Sequence, residues 1–459
     1  MAYIEVVALS KTRLFYFCTG CGHETLKWYG RCPQCGEWNT FQEKCAGQGR
    51  ASYGEEVPDA VFLHEVSAVT EERLSTGSGE LDRVLGGGVV SGSVVLIGGS
   101  PGIGKSTLLL QVSDRIGSSG GKVLYISGEE SMAQIKLRAG RLGAASENIL
   151  LSTETEINKI CGQVEKVKPL LAVVDSIQTA FDADLSGHPG SIAQVRQCCN
   201  NLTGLAKKLN VPIFLVGHVT KGGAIAGPKV LEHVVDAVLY FEGDAYHMYR
   251  IIRGAKNRFG STNEIGVFEM RDSGLMDVSN PSAAFLAERP YNAVGSQVVA
   301  TLKGSRPILL EIQSLVTESS FGNPRRLANG VDLNRLLLML AVLDKKAGLH
   351  LRSEDAHVNI VGGLKVEEPA VDLGLCISLA SSFKNKPVPA GTFAFGEVGL
   401  AGEVRSVAQA ELRLREGRKL GFNRCVLPER VKHNLCDFEG LELCGVSNLN
   451  EALELLLGG

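Results

Sequence analysis

The alternation of apolar and polar stretches divides the chain into segments of different character. Between residues 71 and 285, short apolar runs that are typical of buried strands alternate with amphipathic stretches that are typical of helices. The predicted strands cover residues 94–98, 123–127, 170–175, 213–217, 236–241 and 248–253. This order predicts an α/β domain built on a mainly parallel sheet.

Two prolines mark a second boundary, after which the pattern changes. Residues 286–459 mix short strand-like and helix-like stretches, which predicts a separate α+β domain. Its clearest element is a helix that begins after Asp332 as the N-cap, extends to Lys346 and is ended by Gly348. Five residues of this helix form one apolar stripe that is expected to pack in the core or at an interface: Leu333, Leu336, Leu337, Leu340 and Leu343.

Residues 1–45 contain two C-x-x-C pairs, each followed by a glycine. The four residues are Cys18, Cys21, Cys32 and Cys35. This spacing lets four thiolates surround one Zn²⁺ ion, and four protein ligands leave no open position, so the predicted zinc is structural. A redox pair is the alternative, but the strand–helix pattern that surrounds such a pair is missing and two pairs would not be needed. Residues 46–70 are rich in glycine, serine and glutamate, which indicates a linker.

Composition sets limits on the function. The chain has 459 residues, 44% of them hydrophobic and 21% charged, which is ordinary for a globular protein. A formal net charge of −3 provides no overall basic field, so nucleic-acid binding would depend on local patches. No stretch reaches the roughly 18 apolar residues of a membrane helix, and no secretory pattern is present. We therefore expect a cytoplasmic protein without a membrane partner.

Residues 99–107 match the phosphate-loop pattern G-x-x-x-x-G-K-[ST]. The loop consists of Gly99, Ser100, Pro101, Gly102, Ile103, Gly104, Lys105, Ser106 and Thr107. Its glycines let backbone N–H groups surround an anion, Lys105 supplies a cation to the β- and γ-phosphates, and Ser106 supplies a hydroxyl to Mg²⁺. A chance glycine-rich turn is disfavoured, because an apolar strand precedes the loop and a helix-like stretch follows it. ATP and Mg²⁺ are the expected cofactors.

Polar residues follow three further predicted strands. Asp175 ends an apolar strand, where a carboxylate can hold the magnesium shell. Glu129 and Glu130 end the second strand; Glu129 is the stronger candidate for accepting a proton from the attacking water, and the alternative is a pair of acids at a helix N-terminus. His218 ends a fourth strand and is a candidate sensor of the γ-phosphate or a structural histidine.

Four features together resemble the family of the bacterial DNA repair protein RadA, also called Sms. They are the four-cysteine module, residues 74–82 leading into the phosphate loop, the pentapeptide at residues 256–260, and a C-terminal domain similar to that of Lon proteases. The resemblance implies a RecA-like ATPase that assembles as a homo-hexameric ring. It further implies single-stranded and branched DNA as partners, a RecA-type recombinase, and helicase activity during branch migration.

The pentapeptide Lys256-Asn-Arg-Phe-Gly260 looks like the element with which ring helicases insert cations into the neighbouring subunit's ATP site. We therefore assign Lys256 and Arg258 a catalytic role in trans, since a guanidinium stabilises charge on the transferring phosphoryl group. A basic surface loop that binds phosphate backbone is the alternative. Glycine-rich residues 222–227, with Lys221 and Lys229, and residues 182–190 correspond to DNA-binding loops of RecA-like ATPases.

The C-terminal domain departs from the Lon peptidase pattern. Asp372 stands where the serine nucleophile should be, and Glu411 stands at the lysine position. A carboxylate is a poor nucleophile for amides, so proteolysis is disfavoured, and Cys376 is expected to be buried. A scaffold for ring assembly and DNA contact is implied instead. The basic residues that could face duplex DNA, or alternatively form a solvated surface, are Arg306, Arg325, Arg326, Lys345 and Lys346. The alternatives to a DNA motor are a regulatory ATPase of the KaiC type and an ATP-dependent peptidase.

Overall fold

The computed structural model describes residues 14–45, 62, 72–218, 228–243, 248–319, 324–435 and 438–458. This part of the chain divides into two compact units. The first unit contains the described residues up to Gly77, together with Gly87–Tyr240 and Ala255–Phe259. The second contains Ser78–Gly86, Phe241–Gly254 and the described residues from Gly260 onwards. The domain limits given above stay a prediction. None of the described helices is long and apolar enough to cross a membrane.

The helices of the described residues are short to medium in length. They are α1 (Gly79–Leu85), α2 (Lys105–Ser118), α3 (Met132–Leu142), α4 (Ile157–Val167), α5 (Ile192–Leu209), α6 (Pro228–Leu231), α7 (Pro281–Leu286), α8 (Leu333–Lys346), α9 (Asp372–Lys384), α10 (Ala410–Lys419), α11 (Glu429–His433) and α12 (Leu449–Leu457). Two single 3₁₀ turns cover Leu351–Ser353 and Pro369–Val371.

The strands fall into sheets of different size. The first eleven are β1 (Leu14–Cys18), β2 (Glu24–Thr25), β3 (Phe41–Cys45), β4 (Arg73–Leu74), β5 (Val89–Val90), β6 (Val94–Gly99), β7 (Val123–Ser127), β8 (Ile149–Ser152), β9 (Leu171–Asp175), β10 (Ile213–His218) and β11 (Ala237–Glu242). The others are β12 (Tyr249–Asn257), β13 (Ile265–Arg271), β14 (Gly274–Asp277), β15 (Ser296–Lys303), β16 (Arg306–Glu318), β17 (Arg326–Asn329), β18 (Glu354–Ile360), β19 (Thr392–Ala394), β20 (Glu397–Val398), β21 (Val404–Arg405), β22 (Arg424–Pro428) and β23 (Glu442–Val446).

The N-terminal module is a small antiparallel sheet of order β2-β1-β3. Cys18 at the end of β1 lies opposite Phe41 at the start of β3. Its small buried core consists of Cys18, Cys32 and Phe41. Because so few apolar side chains are buried, this module needs a further source of stability such as a metal.

The first unit is built on parallel strands in the order β6-β10-β9-β7-β8, with β11 on the other side of β6. Fully buried runs of valine, leucine and isoleucine form the central strands, as expected for a sheet covered on both faces. The carboxyl ends of parallel strands meet at one edge of a sheet. That edge therefore collects the residues that follow Gly99, Ser127, Asp175 and His218.

The second unit contains most of β12, the antiparallel strands β13 and β14, and a seven-stranded sheet of order β17-β18-β16-β15-β19-β22-β23. Alternate residues of β15 face two separate apolar clusters: Val299 belongs to one, and Val298 and Ala300 to the other. The first cluster includes α8, α9 and α12, and the second includes α10 and α11. This mixed arrangement matches the predicted α+β class.

Helix α8 begins as predicted but buries a face that is rotated from the predicted stripe. The carboxylate of Asp332 accepts a hydrogen bond from the backbone N–H of Arg335 at 3.1 Å, so Asp332 is the N-cap. The buried face consists of Leu336, Met339, Leu340, Val342 and Leu343. Leu333 and Leu337 are 45% and 44% exposed, so these two residues of the predicted stripe do not belong to the core of this unit. Both lie about a third of a turn away from the centre of the buried face.

Candidate active site

The phosphate loop connects the carboxyl end of β6 with the N-terminus of α2. Gly104 precedes the helix at φ 117°, a conformation that L side chains rarely adopt, and no side chain caps the helix. The first N–H groups of α2 are therefore free of a side-chain partner and form an anion site. Gly102 has φ 74°, and a Cβ placed there would have no heavy atom within 4 Å, so the loop is open on that side.

Lys105 lies inside this loop. Its Nζ donates to the carbonyl oxygens of Gly99 and Ser100, each at 2.9 Å. Burial lowers the pKa of Lys105 to about 8, while the nearby carboxylates of Asp175 and Glu129 act in the opposite direction. The ammonium group is thus placed where phosphate oxygens would meet it, and the loop fits a nucleoside triphosphate.

Asp175 at the end of β9 is held by a residue of the adjacent strand. The hydroxyl of Tyr125 on β7 donates to Oδ2 of Asp175 at 2.8 Å, and Ser127 lies beside Asp175 in the parallel register. Burial, together with the negative charge of Asp175, raises the pKa of Tyr125, so the hydroxyl stays protonated and continues to donate. One oxygen of the Asp175 carboxylate is thereby fixed.

Glu129 lies at the same edge, just after β7. Its Oε1 accepts a hydrogen bond from Ser176 Oγ at 2.5 Å and lies 3.1 Å from Nε2 of His218. The preceding residue is a glycine for a steric reason: a Cβ on Gly128 would be 2.1 Å from Oγ1 of Thr179. Three strand ends therefore bring Glu129, Ser176 and His218 together.

Glu130 has a different partner. Its carboxylate forms an ion pair with Arg138 of α3. Its backbone N–H donates to Ser127 Oγ at 3.2 Å. The geometry thus separates the two neighbouring acids, since Glu129 contacts groups from two other strand ends whereas Glu130 pairs with a helix.

Lys256 and Arg258 lie away from the phosphate loop of their own chain. Arg258 pairs with the buried Asp236 at 3.0 Å, and the other oxygen of Asp236 accepts the backbone N–H of Val94 at 3.0 Å. Val94 is the first residue of β6, whereas the loop begins at Gly99, about 16 Å further along the strand. The Arg258 guanidinium is therefore held near the amino end of the strand whose carboxyl end carries the loop.

The side chain of Lys256 is held at the same place. Its Nζ donates to the carbonyl oxygens of Glu232 and Val235 at 2.6 and 2.7 Å. Burial and the neighbouring Arg258 lower the pKa of Lys256. Arg258 is about half exposed, so of the two cations it is the one that presents its charge to solvent.

One of the two predicted DNA-binding loops is described. Residues 182–190 are organised by the buried Gln194 of α5, whose amide nitrogen donates to the carbonyl oxygens of Asp182 and Leu185 at 3.1 and 2.7 Å. Its amide oxygen accepts the N–H of Asp182 at 2.7 Å. Residues 221–227 and the side chain of Lys229 lie outside the described residues.

The four predicted zinc ligands meet at one point. Their Sγ atoms all lie within 4.8 Å of one another. Tetrahedral Zn–S bonds of about 2.3 Å place sulfurs about 3.8 Å apart, so the four thiolates fit zinc. Gly22 and Gly36 each have φ 75° and follow the two C-x-x-C pairs, where they close the turns. The module therefore holds a structural zinc.

Comparison with known proteins gives a full-length match. The DNA repair protein RadA of Bacillus subtilis (strain 168) is 50% identical over 461 residues, which covers 98% of this chain and 100% of the relative. The RadA protein of Listeria monocytogenes serovar 1/2a is 48% identical, again over 98% of this chain and 100% of the relative. The chain belongs to the RadA family of DNA repair proteins.

The separate parts of the chain agree with this family. Residues 63–224 match the AAA domain family, and residues 16–43 match the rubredoxin metal binding domain. A KaiC-like protein from Pyrococcus horikoshii OT3 is 18% identical with a TM-score of 0.39, covering 45% of this chain and 99% of that one. The RadB recombinase is 26% identical with a TM-score of 0.37, covering 45% of this chain and 100% of that one. The family models thus give the chain an AAA-type ATPase domain preceded by a zinc ribbon.

In this member of the RadA family, the predicted nucleophile position of the C-terminal domain carries an ion pair. The fully buried Asp372 binds the guanidinium of Arg335, with Nε donating to Oδ1 at 2.7 Å, and Val398 N donates to Oδ2 at 3.2 Å. Cys376 is fully buried, and burial raises the pKa of its thiol well above the ordinary value. Neither group has the properties of a nucleophile.

Glu411, at the predicted lysine position, is exposed and pairs with Arg415 one turn along α10 at 3.2 Å. Among the basic candidates, Arg306 is largely buried and pairs with Glu80 at 2.7 Å, so its predicted exposure to DNA was wrong. Its partner lies 226 residues earlier in the chain, which hid the pairing from sequence reasoning. Arg325, Lys345 and Lys346 are exposed.

Proposed function

We propose that this RadA-family protein is an ATP-driven motor that binds single-stranded DNA and promotes branch migration of recombination intermediates. Membership of a family of DNA repair proteins and the ATPase domain support the first half of this statement. The arrangement around Glu129 supports hydrolysis at this site, because a carboxylate, a hydroxyl and an imidazole converge next to the phosphate loop.

In the proposed reaction, ATP lies against residues 99–107 with its phosphates at the N-terminus of α2. Lys105 moves its hydrogen bonds from the loop carbonyls to the β- and γ-phosphates. Mg²⁺, held by Ser106 and Asp175, would neutralise charge on these phosphates. Glu129 accepts a proton from water as the water oxygen attacks the γ-phosphorus and the bond to ADP breaks. His218 and Ser176 position the Glu129 carboxylate.

The observation that most supports a motor is the location of the Arg258 side chain. A long side chain cannot span the approximately 16 Å between the amino end of β6 and the phosphate loop of the same chain. A guanidinium at the transferring phosphoryl group, in addition to the Lys105 ammonium, would therefore come from a neighbouring subunit, as in a homo-hexameric ring. Hydrolysis in one subunit would then depend on the position of the next, which couples ATP turnover to movement.

Mixed assemblies test the assignment in trans. Chains with Lys105→Ala lack a working site but keep Arg258, and chains with Arg258→Ala keep Lys105 but donate no guanidinium. Each variant alone is expected to be nearly inactive, and mixing them should restore part of the ATPase activity. If no mixing ratio restores activity, the assignment fails. Lys256→Ala mixed in the same way tests the second cation.

The DNA partner is tested by the ATPase rate with and without single-stranded oligonucleotide. A motor of this type is expected to hydrolyse ATP faster when DNA is bound, and to displace a strand from a branched substrate. A regulatory ATPase that acts on protein partners would show neither response. A preparation that binds no single-stranded DNA, with ATP or with ADP, would refute the motor.

A further inference from the structure

The zinc module exposes both tryptophans of the chain. Trp28 is 53% exposed and Trp38 is 70% exposed. Single exposed apolar side chains are common, but two indoles on a module of about thirty residues, with Leu26 also exposed, form a concentrated aromatic surface. Exposed indoles of this kind mark binding surfaces more often than packing.

The two indole rings converge on one glycine. A Cβ placed on Gly30 would lie 3.8 Å from Cη2 and Cζ3 of Trp28 and 3.9 Å from Cζ3 of Trp38. Both rings therefore approach the backbone at Gly30, which carries no side chain of its own. The carbonyl oxygen of Gly30 accepts the N–H of Asn39 at 2.8 Å, so this backbone is fixed.

Cations accompany the two rings. The guanidinium carbon of Arg31 lies 5.8 Å from the centroid of the Trp38 ring, and its Nε donates to the carbonyl oxygen of Gly36 at 2.8 Å. Lys27 precedes Trp28, and both Lys27 and Arg31 are exposed. Aromatic rings beside fixed cations are the combination that recognises nucleobases attached to phosphates.

The surface rests on a rigid base. Tyr29, which lies between Trp28 and Gly30 in the chain, packs on the buried Phe41 with ring centroids 6.1 Å apart. Arg31 pairs with Trp38 across an antiparallel bridge, and Cys32 N donates to the carbonyl oxygen of Glu37 at 2.8 Å. The indoles are thus held by the same turn that carries two zinc ligands, which limits the entropy lost on binding.

We propose that Trp28, Gly30, Arg31 and Trp38 form a stacking site for a base of single-stranded DNA. The proposal rests on the proposed function, since it assigns part of the DNA contact to the zinc module. The base stacks on the indoles above Gly30, and Arg31 and Lys27 attract the adjoining phosphates. Stacking is possible only with an unpaired base, so the site distinguishes single strands from duplex.

Tryptophan fluorescence tests the site directly. Because the 459-residue chain has only two tryptophans, all of its indole emission comes from this surface. Full-length protein is titrated with fluorescein-labelled oligothymidylate, and dye anisotropy and indole emission are recorded in parallel. We expect the indole emission to be quenched in step with the rise in anisotropy, and unlabelled oligothymidylate to quench it equally. Duplex DNA of the same length should not quench it.

Substitutions can distinguish a loss of base stacking from a loss of folding. Trp28→Ala and Trp38→Ala should each weaken binding of the oligothymidylate by about 5-fold or more. Leu26→Ala removes an equally exposed apolar neighbour outside the ring pair and should leave affinity unchanged. Zinc content per chain should be the same in all variants, which shows that the module is folded. Trp38→Phe should recover part of the affinity.

The experiment distinguishes a failure of the stacking site from a failure of the proposed function. If anisotropy rises and indole emission does not change, DNA binds elsewhere and the stacking site is wrong, while the proposed function stands. If both tryptophan variants keep zinc and full affinity, the stacking site is also wrong. If anisotropy does not rise at all, the proposed binding of single-stranded DNA is itself refuted.

Discussion

Lys105 shows how burial can couple nucleotide binding to proton binding. Its ammonium group donates to the carbonyl oxygens of Gly99 and Ser100, and burial lowers its pKa to about 8. A bound triphosphate brings negative charge to the same position and must raise this pKa. The protonated form therefore binds nucleotide more tightly than the neutral form.

From this coupling we expect the affinity for a non-hydrolysable ATP analogue to depend on pH. Affinity should be constant below about pH 7 and should fall as pH rises through 8, by up to about tenfold per pH unit. Titration calorimetry between pH 7 and 9.5 measures this dependence. Lys105→Arg is the control, because its guanidinium keeps its proton in this range and its affinity should stay flat. A flat profile for the unmodified protein would contradict the coupling.

Tyr125 is expected to affect the magnesium requirement. Its hydroxyl fixes one oxygen of Asp175, and groups that orient a metal ligand commonly change metal affinity 10- to 100-fold. Tyr125→Phe should therefore raise the Mg²⁺ concentration for half-maximal ATPase activity by about tenfold, with a smaller effect at saturating Mg²⁺.

A matched control is present in the same unit. Tyr240 donates to Oε1 of Glu232 at 2.8 Å, a tyrosine–carboxylate bond of the same length away from the phosphate loop. Tyr240→Phe should leave the Mg²⁺ requirement unchanged. Equal effects of the two substitutions would show that Tyr125 acts only on stability.

At the scale of elements, helices α8 and α9 are joined by one buried charge pair. Asp372 at the start of α9 is fully buried, and Arg335 in the first turn of α8 satisfies both of its oxygens. Burial raises the pKa of Asp372, and the guanidinium counteracts this. Removing one partner leaves a buried charge, whereas removing both leaves no buried charge and costs only the acceptor of the Val398 N–H.

We expect Arg335→Met to lower the free energy of unfolding by about 3–5 kcal/mol at pH 7. The double variant with Asp372→Leu should recover most of this loss. The loss of unfolding free energy in the single variant should become smaller as pH falls. The reason is that the buried carboxyl of Asp372, whose pKa is raised, then binds a proton. Urea denaturation at pH 7 and pH 5 measures both effects. A double variant less stable than the single one would contradict this account.

The same elements show what sequence could predict. Fully buried strands such as Leu171–Asp175 are uniform apolar runs, and the carboxylates at the ends of such runs indicated Glu129 and Asp175 as candidate site residues. Strand Ile149–Ser152 was missed, because it has four residues and only its last is buried. A short edge strand carries little periodicity.

The supporting contacts of the site were harder to predict. Ser176 is 47 residues from its partner Glu129, and Tyr125 is 50 residues from Asp175. Such pairs depend on strand order and register, which the pattern of apolar residues does not specify. The one available signal was the hydroxyl of Tyr125 within an otherwise apolar strand, since a buried polar group requires a partner.

At the scale of the whole molecule, the first unit separates the two halves of the proposed phosphoryl-transfer site. The phosphate loop begins at Gly99 and the Arg258 guanidinium is tied through Asp236 to Val94, at opposite ends of one strand. A single chain would then hold a nucleotide with the Lys105 ammonium but without a guanidinium at the transferring group. In the proposed ring, each interface would complete one site.

This separation predicts that activity depends on protein concentration. If interfaces complete the sites, ATPase activity per chain should fall on dilution below the concentration at which subunits dissociate, and it should recover on reconcentration. The Arg258→Ala variant should hydrolyse ATP slowly at every protein concentration, because its subunits assemble but supply no guanidinium to the neighbouring site. Steady-state assays over a wide dilution series, with the assembly state followed by light scattering, measure both quantities. If the activity per chain stayed constant while the assembly dissociated, one chain would contain the whole site. The role of Arg258 would then be limited to its ion pair with Asp236.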